Sequence, residues 1–163
     1  MKYEKKIIED TKKRYEKLKK DCAESREINE KHIFEAYSNL FENLDTYKNN
    51  IMLSNMSFLK NLARKIIKSR FEKAEKNIKD CLFNITMAEK NCEVMKDFIG
   101  QLESSPDYHI GLEDVYKIVS KVDRNARLFS KPLDEILDSK EQRPAYYNIR
   151  KNLIEKLKEY SIL

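Results

Sequence analysis

The chain has 163 residues, 37% of them charged and 40% apolar, with a formal net charge of +5 and a mean hydropathy of -0.76. That apolar inventory excludes a thick globular core, so the apolar residues must lie in stripes along amphipathic elements. No run approaches the ~18 apolar residues of a membrane span, the N-terminus lacks the apolar run of a signal peptide, and two glycines cannot build a phosphate-cradling loop.

Residues 1–99 contain no glycine and no proline. Nothing there breaks a helix, and the expectation is one very long helix over 1–103, on the order of 150 Å at 1.5 Å per residue. Its period is heptad in two blocks. Ile33, Tyr37, Leu40, Leu44, Tyr47 and Ile51 step 4-3-4-3-4, and Ala74, Ile78, Cys81, Ile85, Ala88, Cys92, Met95, Ile99 and Leu102 step 4-3 throughout. Between them the spacing lengthens to eleven, which predicts a locally straightened supercoil, with Leu59, Leu62 and Ile66 carrying the seam across the middle. The blocks are symmetric about a point between Leu62 and Ala63. In an antiparallel homodimer, large residues of one block then face small residues of the other. N-terminal to residue 29 the stripe is thin: Ile8, Tyr15, Leu18 and Cys22.

A second apolar series, Phe83, Met87, Val94 and Phe98, lies about 120° around the helix and predicts a docking face for helices folding back. The segment Glu103-Ser-Ser-Pro-Asp107 is the first turn signal, giving a turn over 104–111. A second helix is expected over 112–130, with Leu112, Val115, Tyr116, Val119, Val122, Ala126 and Phe129 on one side. A connection over 131–144 carries Leu133, Ile136 and Leu137, enough for a helical turn. A last helix over 145–163 buries Ile149, Leu153, Ile154, Leu157 and Tyr160. Val115, Val119, Val122, Phe129, Leu153 and Leu157 are the fold-back contacts. The fold class is thus all-α: a very long helix forming an antiparallel dimeric coiled coil, with two or three shorter C-terminal helices folding back onto it.

This plan, together with the stretch IFEAYSNLFENLDTYKNNIMLSNM, the segment Leu128-Phe-Ser-Lys-Pro132, Gln142-Arg143 and the amphipathic NIRKNLIEKLKEY, resembles the coiled-coil region of the tripartite motif (TRIM) family. The resemblance covers roughly residues 20–163. It implies an antiparallel homodimer that spaces RING and B-box modules at its ends and recognition domains near its centre, as in TRIM-type ubiquitin ligases. Three cysteines (Cys22, Cys81, Cys92) and two histidines (His32, His109) cannot supply the zinc ligands of those modules. Ligase chemistry would therefore lie outside this chain.

No metal, cofactor or catalytic set can be assembled from these residues, and the expected function is a scaffold that homodimerises and orients attached protein domains. The unpaired, odd cysteine count fits a reducing cytoplasm. A competing function rests on charge. Residues 60–79 carry Lys60, Arg64, Lys65, Lys68, Arg70 and Lys73, with Lys76 and Lys79 beyond, against Glu72 and Glu75. Such a basic belt can hold RNA phosphates by counterion release. A membrane-surface helical dimer is the remaining alternative. It is not the expectation, because no helix combining an apolar face with a basic one stands out for insertion.

Overall fold

The computed structural model describes residues 2–104, 120, 127, 129–137 and 144–163. Every regular element among them is helical. Helix α1 spans Lys2–Asn50, α2 spans Ser57–Ser104, α3 is the short Leu133–Leu137 and α4 spans Pro144–Glu159.

The single helix expected over 1–103 is two helices. At the end of α1 the Tyr47 carbonyl accepts both the Ile51 N–H (3.0 Å) and the Met52 N–H (2.9 Å), a widened last turn that stops the helix. Ser54 N–H then reaches Ile51 O (2.9 Å), and Ser54 Oγ accepts the Met56 N–H at 3.1 Å. The Lys60 N–H to Met56 O bond opens α2. No residue of this turn has a positive φ, so neither glycine nor proline is needed to make it.

Phase supplies the reason for the break. The twenty residues from Tyr47 to Ile67 advance a straight helix by roughly five and a half turns, so the buried stripes of α1 and α2 would lie on opposite faces of one rod. Reversing the chain brings both stripes onto one core. Leu59, Leu62 and Ile66 continue the phase of α1 beyond the reversal and are therefore left on solvent, 38%, 44% and 44% exposed. Ile67, Phe71 and Leu82 occupy the buried positions instead.

The chain divides into two compact units. One comprises residues 30–81 and 131–163. Here the first heptad block, Ile33, Tyr37, Leu40, Leu44 and Tyr47, is buried, and so are Ile67, Phe71 and Ile78 of α2. The two helices run antiparallel: Arg64 Nε donates to Tyr47 Oη at 2.9 Å, and Arg70 Nη1 donates to Asn43 Oδ1. These ties are symmetric about the turn at 51–56 and not about Leu62 and Ala63. Helix α4 runs parallel to α1. Tyr146 lies on Phe34 (5.4 Å between centroids), Lys156 stands over Phe41 (5.3 Å) and Tyr160 lies on Tyr47 (6.1 Å). Leu153 and Leu157 are fully buried, and α3 buries all three of Leu133, Ile136 and Leu137, as their spacing predicts. The end of α4 closes with Ser161 at φ 56° and the Ile162 N–H on Leu157 O at 2.8 Å, a left-handed cap that tucks Ile162 inside.

The other unit comprises residues 1–29 and 82–130. Its α1 portion is half-buried at Ile8, Thr11, Tyr15, Leu18, Cys22 and Ser25, a 4-3 stripe, and its α2 portion buries Leu82, Ile85 and Ile99. Cys92 Sγ approaches Leu18 O at 3.7 Å, Arg26 pairs with Glu89 at 3.9 Å and Lys12 pairs with Glu103. Phe83 meets Phe129 edge-on at 5.3 Å, so this fold-back contact forms. Met87, Val94 and Phe98 are half-buried. Leu112, Val115, Tyr116, Val119, Val122 and Ala126, with most of the expected second helix, lie outside the described residues. Of the remaining expected seam, Ala74, Cys81, Ala88, Cys92, Met95 and Leu102 are half-buried, as is Ile51 beside the turn.

Candidate interaction surface

The turn and the first three helical turns of α2 carry a row of uncovered large apolar side chains: Leu53 (85% exposed), Met56 (64%) and Phe58 (78%), followed by Leu59, Leu62 and Ile66. At 100° per residue, Phe58, Leu59, Leu62 and Ile66 fall within about 100° of one another, centred opposite Phe71, the residue that anchors α2 in the core. Helix α2 is thus apolar on both sides here, and only one side is used internally. Scattered single apolar residues are normal on a surface; six contiguous ones at a hairpin end are not.

Charge surrounds this row. From Thr46 to Phe71 the sequence has six cations, Lys48, Lys60, Arg64, Lys65, Lys68 and Arg70, and no acidic residue. The six residues of the expected basic belt do not form one face. Lys60 and Arg64 are half-buried on the packed side, where Arg64 is engaged by Tyr47. Lys65, Lys68, Arg70 and Lys73 are exposed. Arg70 and Lys73 border an open groove of about 570 Å³ between α1 and α2, lined also by Asn39, Asn43 and Asn77. At 100° per residue Lys65 and Arg70 flank the apolar row; Arg70 is engaged by Asn43, which leaves Lys65, with Lys68 one turn beyond it on the same flank, as the exposed cations beside Phe58.

A buried polar cluster holds the rest of this unit together. Arg150 of α4 donates from Nε and Nη2 to Glu75 of α2 at 2.9 and 2.8 Å, and from Nη2 to Asp134 of α3 at 2.6 Å. One guanidinium ties three helices. Burial raises the pKa of Glu75; the hydrogen bond and charge of Arg150 oppose that rise, and Asp134 adds to it. Tyr37 lies beside this pair with its hydroxyl buried and no hydrogen-bond partner among the described residues. Burial, then the charge of Glu75, pushes the Tyr37 phenol above its ordinary range. By joining α2, α3 and α4 through Arg150, the cluster acts as a clasp.

The sequence alone does not mark the apolar row as a surface, because Leu59, Leu62 and Ile66 fit the spacing of a coiled-coil seam. The phase offset between the stripes of α1 and α2 was the available signal. Among the described residues there is no group of His, Cys, Asp and Glu that could hold a metal ion, and no helix long and apolar enough to cross a membrane. No protein-family model, curated protein or solved structure matches the chain.

Proposed function

We propose that the chain is a helical interaction scaffold whose docking surface is the closed end of the α1–α2 hairpin. The observation that carries this reading is the apolar row Phe58, Leu59, Leu62 and Ile66, uncovered on a helix whose opposite face is anchored by Ile67 and Phe71. The clasp of Arg150 with Glu75 and Asp134 and the aromatic contacts of α4 brace α1 and α2 behind that end, so a load taken at the turn is carried by three packed helices.

The test separates a docking surface from an internal core. Phe58→Gln with Leu62→Gln should leave the circular-dichroism spectrum unchanged and the melting temperature within about 4 °C, because two substitutions at exposed sites together lie within about 1 kcal/mol. A fall of about 8 °C or more would mean that the row is covered by the chain's own residues, and the reading would fail.

A homodimer is a second reading with its own observation: Leu59, Leu62 and Ile66 are the seam residues that the hairpin leaves uncovered. Sedimentation equilibrium of the wild-type chain and of Leu62→Glu/Ile66→Glu tests it. A dimer dissociated by those charges supports it.

A further inference from the structure

Building on the reading of the hairpin end as a docking surface, we propose that its ligand is the surface of an anionic lipid bilayer, with Leu53, Met56 and Phe58 entering the interface and Lys65 and Lys68 meeting lipid phosphates. Two observations select this partner.

The first is where the apolar residues lie. The three most exposed large apolar residues, at 85%, 64% and 78%, are Leu53 and Met56 of the turn that joins α1 to α2 and Phe58 of the first turn of α2, where the chain reverses. A bilayer accepts apolar side chains at such a reversal without the matched pockets that a protein partner must supply.

The second is charge complementarity. A stretch with six cations and no acidic residue flanks the tip, and the last turn of α4 adds Lys156, Lys158 and Glu159. Two copies meeting tip to tip would bring like charge together, while an anionic headgroup layer attracts each Lys it faces. A nucleic acid would also attract the cations and could stack a base on Phe58, but it makes no use of the exposed aliphatic Leu53 and Met56. The exposed apolar residues follow the cations at helical spacing, Phe58, Leu62 and Ile66 beside Lys65, so on the outer face of α2 apolar and basic groups share one edge, the arrangement of an interfacial helix.

The experiment uses the full chain and vesicle co-sedimentation. Vesicles of phosphatidylcholine with about one-third phosphatidylserine should bind the chain at ~0.1 M salt, binding should weaken several-fold at ~0.5 M, and phosphatidylcholine alone should bind at least tenfold less. Phe58→Gln/Leu62→Gln and, separately, Lys65→Glu/Lys68→Glu should each lower binding about tenfold or more. The chain contains no tryptophan, so Leu53→Trp is a single reporter whose emission should shift to the blue on the phosphatidylserine vesicles. The proposal is overturned if those vesicles do not bind. It is also overturned if the lysine pair matters but Phe58→Gln/Leu62→Gln does not, which would assign the surface to a polyanion such as RNA. It fails equally if the chain forms a dimer lost in Leu62→Glu/Ile66→Glu and shows no vesicle binding. Normal melting of Phe58→Gln/Leu62→Gln with no vesicle binding overturns the lipid and leaves the docking surface standing, whereas early melting removes the surface itself.

Discussion

Replacing Arg150 with Met keeps the length of the side chain and removes its charge, which isolates what the clasp contributes. The guanidinium and the Glu75 carboxylate are 14% and 16% exposed, and their two hydrogen bonds are 2.8 and 2.9 Å long. Deleting one partner of such a pair strands the other charge. Full burial would cost 3–5 kcal/mol; the residual exposure and the Asp134 carboxylate, 73% exposed and able to turn to water, reduce this to about 2–3 kcal/mol near pH 7.5. The melting temperature should fall by about 6–9 °C. The effect must depend on pH. Glu75 already titrates above its ordinary value of 4.5 because of burial, and Arg150 supplies the contributions that oppose the rise. Without Arg150 the folded-state pKa climbs further, so the native state binds more protons than the unfolded chain between about pH 4.5 and the raised value. Stability then falls as pH rises through that window, and the deficit of the variant should shrink on going from pH 7.5 to pH 5. Adding Glu75→Gln to Arg150→Met should recover most of the loss at pH 7.5. Thermal melts by circular dichroism at the two pH values measure all of this. A pH-independent deficit, or no recovery in the double variant, would refute the stranded-charge argument and leave packing as the role of Arg150.

Three further outcomes follow from single contacts. Tyr37→Phe removes a buried hydroxyl that has no partner among the described residues, and denaturant unfolding should show no loss or a gain of about 1 kcal/mol. Gly100→Ala should stabilise by roughly 0.5–1 kcal/mol, since the glycine is helical, without a positive φ, and an added Cβ meets nothing within 4 Å; a destabilised variant would contradict that open space. Burial, then the interaction with Cys22 across α1 and α2, raises the Cys92 thiol to about 11. Copper-phenanthroline oxidation of the full chain should therefore close a Cys22–Cys92 disulfide within one chain, seen as faster migration on non-reducing gels; a disulfide-linked dimer would mean that the helices pair between chains.

Much of this architecture was legible from residue spacing. The stripe from Ile33 to Tyr47, the turn of helix at Leu133–Leu137, the burial of Leu153 and Leu157 and the contact of Phe129 with Phe83 all follow from periodic apolar positions. The reversal at 51–56 has no glycine or proline, and its only local marks are the weaker turn formers Asn49-Asn50, Ser54-Asn55 and Ser57. Turns are read from glycine, proline and positive-φ residues, and this one is made by a widened α1 terminus and by Ser54 Oγ. The eleven-residue spacing through the same region invited a supercoil reading, although it marks where the buried face changes sides. The clasp was equally opaque: Glu75 and Arg150 are separated by 75 positions, and nothing local distinguishes them from the many solvated charges around them.

The offset between the stripes of α1 and α2 makes the topology a matter of counting. Tyr47 and Ile67 stand roughly half a turn out of phase, and removing about two residues from 51–56 would bring them onto one face of a continuous helix. The same apolar side chains would then favour association of two straightened chains over the folding back of one, an exchange of partner halves with no contact redesigned. Whether this molecule is built by one chain or two is thus stored in the length of a six-residue segment, and a shortened turn should show it as a change in mass on sedimentation.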